Sequence, residues 1–174
     1  MNETEGLLVN RVAESDLQTI ALDALMPLSS IVSFDLKDYL FQGMILKEKD
    51  FRAALKAFDW SQFSQKQLAV YCSTDAIIPM WAYMLIATQA SPFTIGVHIG
   101  TVDQVYEALL VNFINSNDWS YLQDKRVVVK GCSDKEIPAS AFLAIGSQLR
   151  PFVQNLMYGE PCSTVPIFKR PRVL

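Results

Sequence analysis

Asp59-Trp60-Ser61 recurs as Asp118-Trp119-Ser120, 59 positions further along the chain, and the match runs well past the tripeptide. At the same offset Lys66 meets Lys125 and Val70 meets Val129, and after one inserted residue, Gly131, Cys72-Ser73 meets Cys132-Ser133. The offset of 59 then resumes. Ile78-Pro79 meets Ile137-Pro138, Ala82 meets Ala141, Ile86 meets Ile145, Gln89 meets Gln148, Pro92-Phe93 meets Pro151-Phe152, and Gly100 meets Gly159. Unrelated segments of this length share only about two identities at average composition. Residues 43–100 and 101–159 therefore read as two copies of one unit, longer than an ordinary solenoid repeat.

Each copy predicts the same run of elements. Phe51 to Phe58 and Tyr106 to Phe113 carry apolar residues at helical spacing, and each precedes an Asp-Trp-Ser turn whose tryptophan packs the turn. Leu68 to Tyr71 and Val127 to Val129 are short, apolar, partly β-branched runs, as buried strands are, and both lead into Cys-Ser. A helix follows, with Pro79 or Pro138 in its first turn and Pro92 or Pro151 near its end. Trp81, Tyr83 and Met84 on the first of these helices read as core. Thr94 to Ile99 and Val153 to Tyr158 are then equivalent strands ending at Gly100 and Gly159.

Strands alternating with helices imply parallel pairing through right-handed crossovers. The expected fold class is thus α/β: a three-layer domain, 1–174, around one mostly parallel sheet. Ile31 to Leu46, around Gly43, reads as an N-terminal hairpin or edge-strand extension. Residues 1–30 read as an amphipathic lead-in that docks through Leu17, Ile20, Leu22 and Leu25, and 160–174 as an extended, proline-rich tail, ordered to about Phe168 with a frayed cationic end.

Of the 174 residues, 51% belong to the set AVILMFWYC and only 19% are charged, so the interior is large for the surface and disorder is excluded. Such apolar content also allows a homo-oligomer. Fifteen Lys and Arg against eighteen Asp and Glu leave a net charge of −3, which argues against nucleic acid as a partner. No formal charge occurs from Ala76 to Val102, yet Pro79, Pro92, Gly96 and Gly100 interrupt the stretch, so no membrane span is expected. No cationic and apolar leader opens the sequence, and the expected location is cytoplasmic. Dinucleotide, Walker, zincin and serine-hydrolase motifs are all missing.

The three cysteines carry the chemical interest. In an open parallel sheet, ligands gather outside the carboxyl ends of the strands, where Cys72 and Cys132 fall, and Cys162 follows the last predicted strand. The single histidine, His98, also lies near a strand end. Convergence of Cys72, Cys132, Cys162 and His98 would make a tetrahedral zinc site. Three thiolates alone would hold iron or an iron–sulfur cluster with one open position, which Glu160 or Asp75 could fill. Two further readings stay open: an enzyme working through one reactive thiol, Cys72 or Cys132, in redox or sulfur-transfer chemistry, or an interaction domain whose cysteines are core filler.

A cysteine on a strand-to-helix turn resembles the rhodanese active site, and Val70-Tyr71-Cys72 is similar to its opening. The following Ser73-Thr74-Asp75-Ala76-Ile77-Ile78 lacks the glycine and arginine that hold an anionic sulfur intermediate in that family, which ranks sulfur transfer below metal binding. A wider resemblance rests on Leu40-Phe41-Gln42-Gly43 with Glu48-Lys49-Asp50-Phe51-Arg52, and on Cys72-Ser73 with Trp81-Ala82-Tyr83-Met84-Leu85. It continues through Asp124-Lys125-Arg126-Val127-Val128-Val129-Lys130-Gly131-Cys132-Ser133 and through Met157-Tyr158-Gly159-Glu160-Pro161-Cys162-Ser163-Thr164-Val165-Pro166. These segments resemble the bacterial family grouped as domain of unknown function 2480. The resemblance implies the three cysteines but not His98, no assigned activity, and protein partners in iron–sulfur cluster assembly.

Overall fold

The structure, a computed structural model, describes residues 17–25, 31–130, 136–160 and 163–171. Seven strands and four α-helices are present among them: β1 (Leu17–Ile20), β2 (Ile31–Asp35), α1 (Glu48–Ala57), β3 (Gln67–Tyr71), α2 (Met80–Ala90), β4 (Gly96–Ile99), α3 (Val102–Ser116), β5 (Arg126–Val129), α4 (Ala139–Leu149), β6 (Asn155–Glu160) and β7 (Ser163–Lys169). The fold is mixed α/β with mostly parallel pairing. The strands do not form one sheet. They form two, β2-β3-β4 and β1-β5-β6-β7, and the chain divides into a continuous unit, Pro27–Leu109, and a split unit, Met1–Met26 with Leu110–Leu174.

In the continuous unit β3 lies between β2 and β4, parallel to both, with Val70 opposite Phe34 on one side and Ile99 on the other. Leu68, Ala69 and Val70 are all buried, as a central strand covered on both faces requires. Alternation puts Leu68 and Val70 toward the helices, where they pack with Phe51 and Leu55 of α1 and with Ala82, Ile86 and Ala90 of α2. Phe51 and Trp81 meet edge to face, with ring centroids 6.1 Å apart. Small alanines on α2 let that helix approach closely. Its other side is open: Met84, expected in the core, is 70% exposed.

The split unit uses the same devices. Val127, Val128 and Val129 of β5 are buried between β1 and β6, and Ala141, Ile145 and Leu149 of α4 occupy the positions of Ala82, Ile86 and Ala90. Trp60 Nε1 donates to Leu55 O at 3.0 Å, and Trp119 Nε1 donates to Ile114 O at 2.8 Å. Each indole satisfies a carbonyl that the end of a helix leaves without a partner. The chain then turns through a residue of positive φ, Gln65 (58°) or Asp124 (57°), to enter the strand.

The N-terminal expectation needs correction. Leu17 to Ile20 is not a docking lead-in but a strand that pairs in parallel with Arg126 to Val129. A central strand buried on both faces still needs its backbone groups paired along both edges, and β1 does for β5 what β2 does for β3. Both strands run into a 3₁₀ turn headed by a buried leucine, Leu22 or Leu36. Residues 31–46 hold the edge strand β2, whereas the hairpin shrinks to a single antiparallel bridge, Phe41 to Ile45, around Gly43. The extended tail becomes β7, antiparallel to β6, with an irregularity in register next to Pro166.

Gly100 and Gly159 both have φ 122°, open to glycine alone at little cost. A Cβ on Gly159 would sit 2.5 Å from Ser163 O, a backbone atom, whereas one on Gly100 would meet only the Gln104 side chain, with Oε1 at 2.9 Å. Gly159→Ala should therefore destabilise more than Gly100→Ala, which is expected to cost about 1–2 kcal/mol from backbone strain alone. Trp60→Phe and Trp119→Phe should each cost about 1–3 kcal/mol by orphaning a buried carbonyl. Urea unfolding of the four variants checks the order of the glycine pair and the size of the tryptophan losses.

Candidate functional site

At the carboxyl edge of the continuous unit β2 ends on Asp35, and Cys72 follows the last residue of β3. Asp35 Oδ1 accepts hydrogen bonds from Lys37 N at 3.0 Å and Ser73 N at 3.1 Å, and Oδ2 faces Lys37 Nζ at 3.6 Å. Partial burial pushes this carboxyl up, but the bonds from the Ser73 hydroxyl, Lys37 N and Ser73 N, with the Lys37 charge, bring it below its ordinary value. Asp35 thus ties the loop leaving β3 to the end of β2. The sequence reading passed it over, although an aspartate followed by a donor two residues on is the signature of an Asx turn.

Cys72 is half-buried against the apolar core of this unit, and its Sγ lies 3.3 Å from Thr74 Oγ1. Burial, and then the nearby Cys72, raise the Tyr83 phenol above its ordinary value. Helix α2 begins only at Met80, so an exposed loop that includes Asp75 intervenes between the cysteine and the helix. His98 is placed differently. It pairs with Ala69, on the sheet face opposite that of Leu68, Val70 and Cys72, and its Nε2 lies 2.8 Å from Gln67 Oε1. Three residues separate Ala69 from Cys72, roughly 10 Å along the strand. The fold therefore does not bring His98 to Cys72.

The split unit presents another rim. Lys130 Nζ and Glu160 Oε2, at the ends of the neighbouring strands β5 and β6, lie 3.5 Å apart. Glu160 is accordingly engaged by a cation. Cys132 and Cys162, the other two proposed thiolates, lie outside the described residues. Among the described residues no cluster of three or more His, Cys, Asp and Glu side chains forms.

Each unit also has a groove between its second helix and its third strand. That of the continuous unit, about 220 Å³, is bounded by Val70, Tyr83, Ala87, Val97, His98 and Ile99. That of the split unit, about 330 Å³, has Val129, Phe142, Gly146, Leu156, Met157 and Tyr158 at the corresponding positions, 59 further on. Ile167 of β7 closes the second groove, and among the described residues no strand closes the first. Among the described residues no helix is long and apolar enough to cross a membrane.

Burial holds the His98 imidazole below its ordinary value. The unfolded chain then takes up a proton first, so the stability His98 contributes is intact above about pH 6.5 and is lost as pH falls from there through the lowered folded value. His98→Gln should flatten the fall in unfolding free energy as pH drops below about 6.5. Asp35 behaves in the same sense at lower pH: its contribution is present above about pH 3.9 and is lost as pH falls through its lowered folded value. Asp35→Ala should cost about 1 kcal/mol at neutral pH, like the loss of a helix N-cap. Urea titrations across the pH range measure both.

No curated protein and no solved structure matches the chain. The family described as Protein of unknown function (DUF2480) matches residues 6–170, with the Asp35 clamp, both strand rims and all three cysteines inside the matched span. The chain belongs to that family.

Proposed function

We propose that this is a cytoplasmic accessory protein that holds zinc, iron or an iron–sulfur cluster through cysteine thiolates, drawn from Cys72, Cys132 and Cys162, without itself being an enzyme. One observation carries the reading. β5 and β6 are parallel neighbours whose carboxyl ends meet in the Lys130–Glu160 pair at 3.5 Å, and Cys132 and Cys162 each follow one of those residues by two positions. Neighbouring strands run about 4.8 Å apart, close to the separation of about 3.8 Å between two sulfurs on one tetrahedral zinc. Cys72, one position past the end of β3, belongs to the continuous unit. A site of that kind suits exchange with proteins of iron–sulfur cluster assembly.

The architecture is read in the same spirit. The paired tryptophan bonds, the paired positive-φ turns and the matched grooves support descent of the two units from one by duplication. Ala69 and Val128 are 0% exposed on the sheet faces turned away from the helix-side residues, which supports a further layer on each and hence a three-layer arrangement.

A second reading, an interaction domain with structural cysteines, is favoured at one position by the packing of Cys72 against the core and its contact with Thr74. Anaerobic purification with elemental analysis and an absorption spectrum separates the two. A bound metal lost in Cys132→Ser and Cys162→Ser, from about one equivalent to nearly none, is the expected result. Loss in Cys72→Ser as well makes the site three-thiolate. Wild-type protein that stays empty after reconstitution with zinc, or with iron and sulfide, leaves the second reading.

A further inference from the structure

The two sheets match strand for strand except at one edge. β6 is paired on its outer side by β7, whereas among the described residues nothing pairs the outer side of β4. Its surroundings show the difference. Val97 is half-buried where its counterpart Leu156 is 4% exposed, and Ile95 is 59% and Ile99 74% exposed, against a half-buried Gln154 and a Tyr158 at 41%. The groove beside β4 likewise lacks the side chain that Ile167 of β7 supplies to its counterpart.

Free sheet edges are ordinarily blunted by charge, proline or irregular register. β7, the outer strand of the split unit, has Pro166 next to its register irregularity, ends on Lys169 and is followed by Arg170. Arg170 holds it down, with Nη1 2.6 Å from Asp124 Oδ1 and Nη2 donating to Pro151 O at 2.7 Å and Phe152 O at 2.8 Å. None of these devices protects β4. From Thr94 to Gly100 there is neither proline nor charge, and the whole stretch from Ala76 to Val102 has no formal charge.

We propose that the outer edge of β4 is a homodimer interface, in which β4 of a second copy lies antiparallel against it, in the place that β7 holds against β6. Three features select a second copy as the occupant. A two-fold axis makes self-pairing antiparallel, and antiparallel is the polarity of the strand at the matching edge. Isologous contact lays the same short stretch against itself, residue i facing j and j facing i, so any net charge in it would meet its like across the axis, and this stretch has none. The exposed isoleucines that flank the strand would be covered from both sides at once. β2, at the opposite edge of the same sheet, ends instead on the anionic Asp35.

Sedimentation equilibrium of the full chain tests this directly. At micromolar concentration the expected mass is twice the 19.6 kDa of one chain. Ile99→Lys, and the double variant Ile95→Lys with Ile99→Lys, should halve that mass while leaving the circular dichroism spectrum and Tm close to wild type. Leu143→Lys, at an exposed position on α4, should remain dimeric. Mixing the lysine double variant with one carrying Ile95→Glu and Ile99→Glu should restore a dimer that neither forms alone. A wild-type chain that is monomeric throughout the micromolar range overturns the proposal, and so does a dimer that survives the lysine substitutions in folded protein. Recovery of mass on mixing makes general misfolding an inadequate explanation of the variants.

Discussion

The indole N–H of a tryptophan, given to a carbonyl five residues back, is the bond on which each unit of this protein turns. A helix that stops leaves its last carbonyls without partners, and a chain that must enter a buried strand immediately afterwards cannot leave them to water. Trp60 and Trp119 meet that requirement while 5% and 2% exposed, so a single side chain both ends the helix and fills the corner of the core. The Asp-Trp-Ser sequence supplies the rest of the turn, because Asp59 and Asp118 accept from the backbone N–H of Ser61 and Ser120 at 3.0 and 2.8 Å. From that corner the chain has one economical path, through a positive-φ residue into a strand buried on both faces.

The backbone is shared, and the chemistry at its carboxyl edge is not. The continuous unit holds its rim together with a carboxylate that accepts backbone N–H groups from two loops. The split unit holds its rim with an ion pair between neighbouring strands. The first arrangement binds chain to chain and occupies the lone pairs of Asp35. The second leaves two charged ends beside the positions from which Cys132 and Cys162 follow. The outer edges differ as well, one sealed by β7 under the grip of Arg170 and the other, the four residues of β4, without a pairing strand among the described residues.

Much of this was legible as sequence. The constant offset of 59 located both helix–turn–strand–helix–strand runs, since its identities fall at turns, caps and small-residue packing positions. It could not locate β1. Leu17–Ile20 matches Ile31–Asp35 only through what each strand pairs with, and the separation there is 14 residues rather than 59 because the continuous unit lies between β1 and the rest of its sheet. The likeness of Leu22 to Leu36 was the faint signal available. Met84 was misassigned for another reason: α2 is apolar all round, so periodicity alone could not say that its buried stripe runs through Ala82, Ile86 and Ala90. At the candidate site, the position of Cys72 just past a strand end was readable, whereas the clamp through Asp35 joins residues 38 apart and was not.

The amino-acid sequence by itself determined the local units within the two matched runs: the order of helix, turn and strand, that the tryptophans close the turns, and that the cysteines follow strand ends. Those outcomes depend on side-chain periodicity and on bonds spanning a few residues. Only the tertiary structure decided that there are two sheets, that Leu17 lies beside Arg126, that His98 and Cys72 point to opposite faces, and that one edge is paired while its counterpart has no partner strand among the described residues. Strand neighbours are chosen by backbone groups that are the same in every residue, so nothing in the order of side chains names the partner until the whole core is packed.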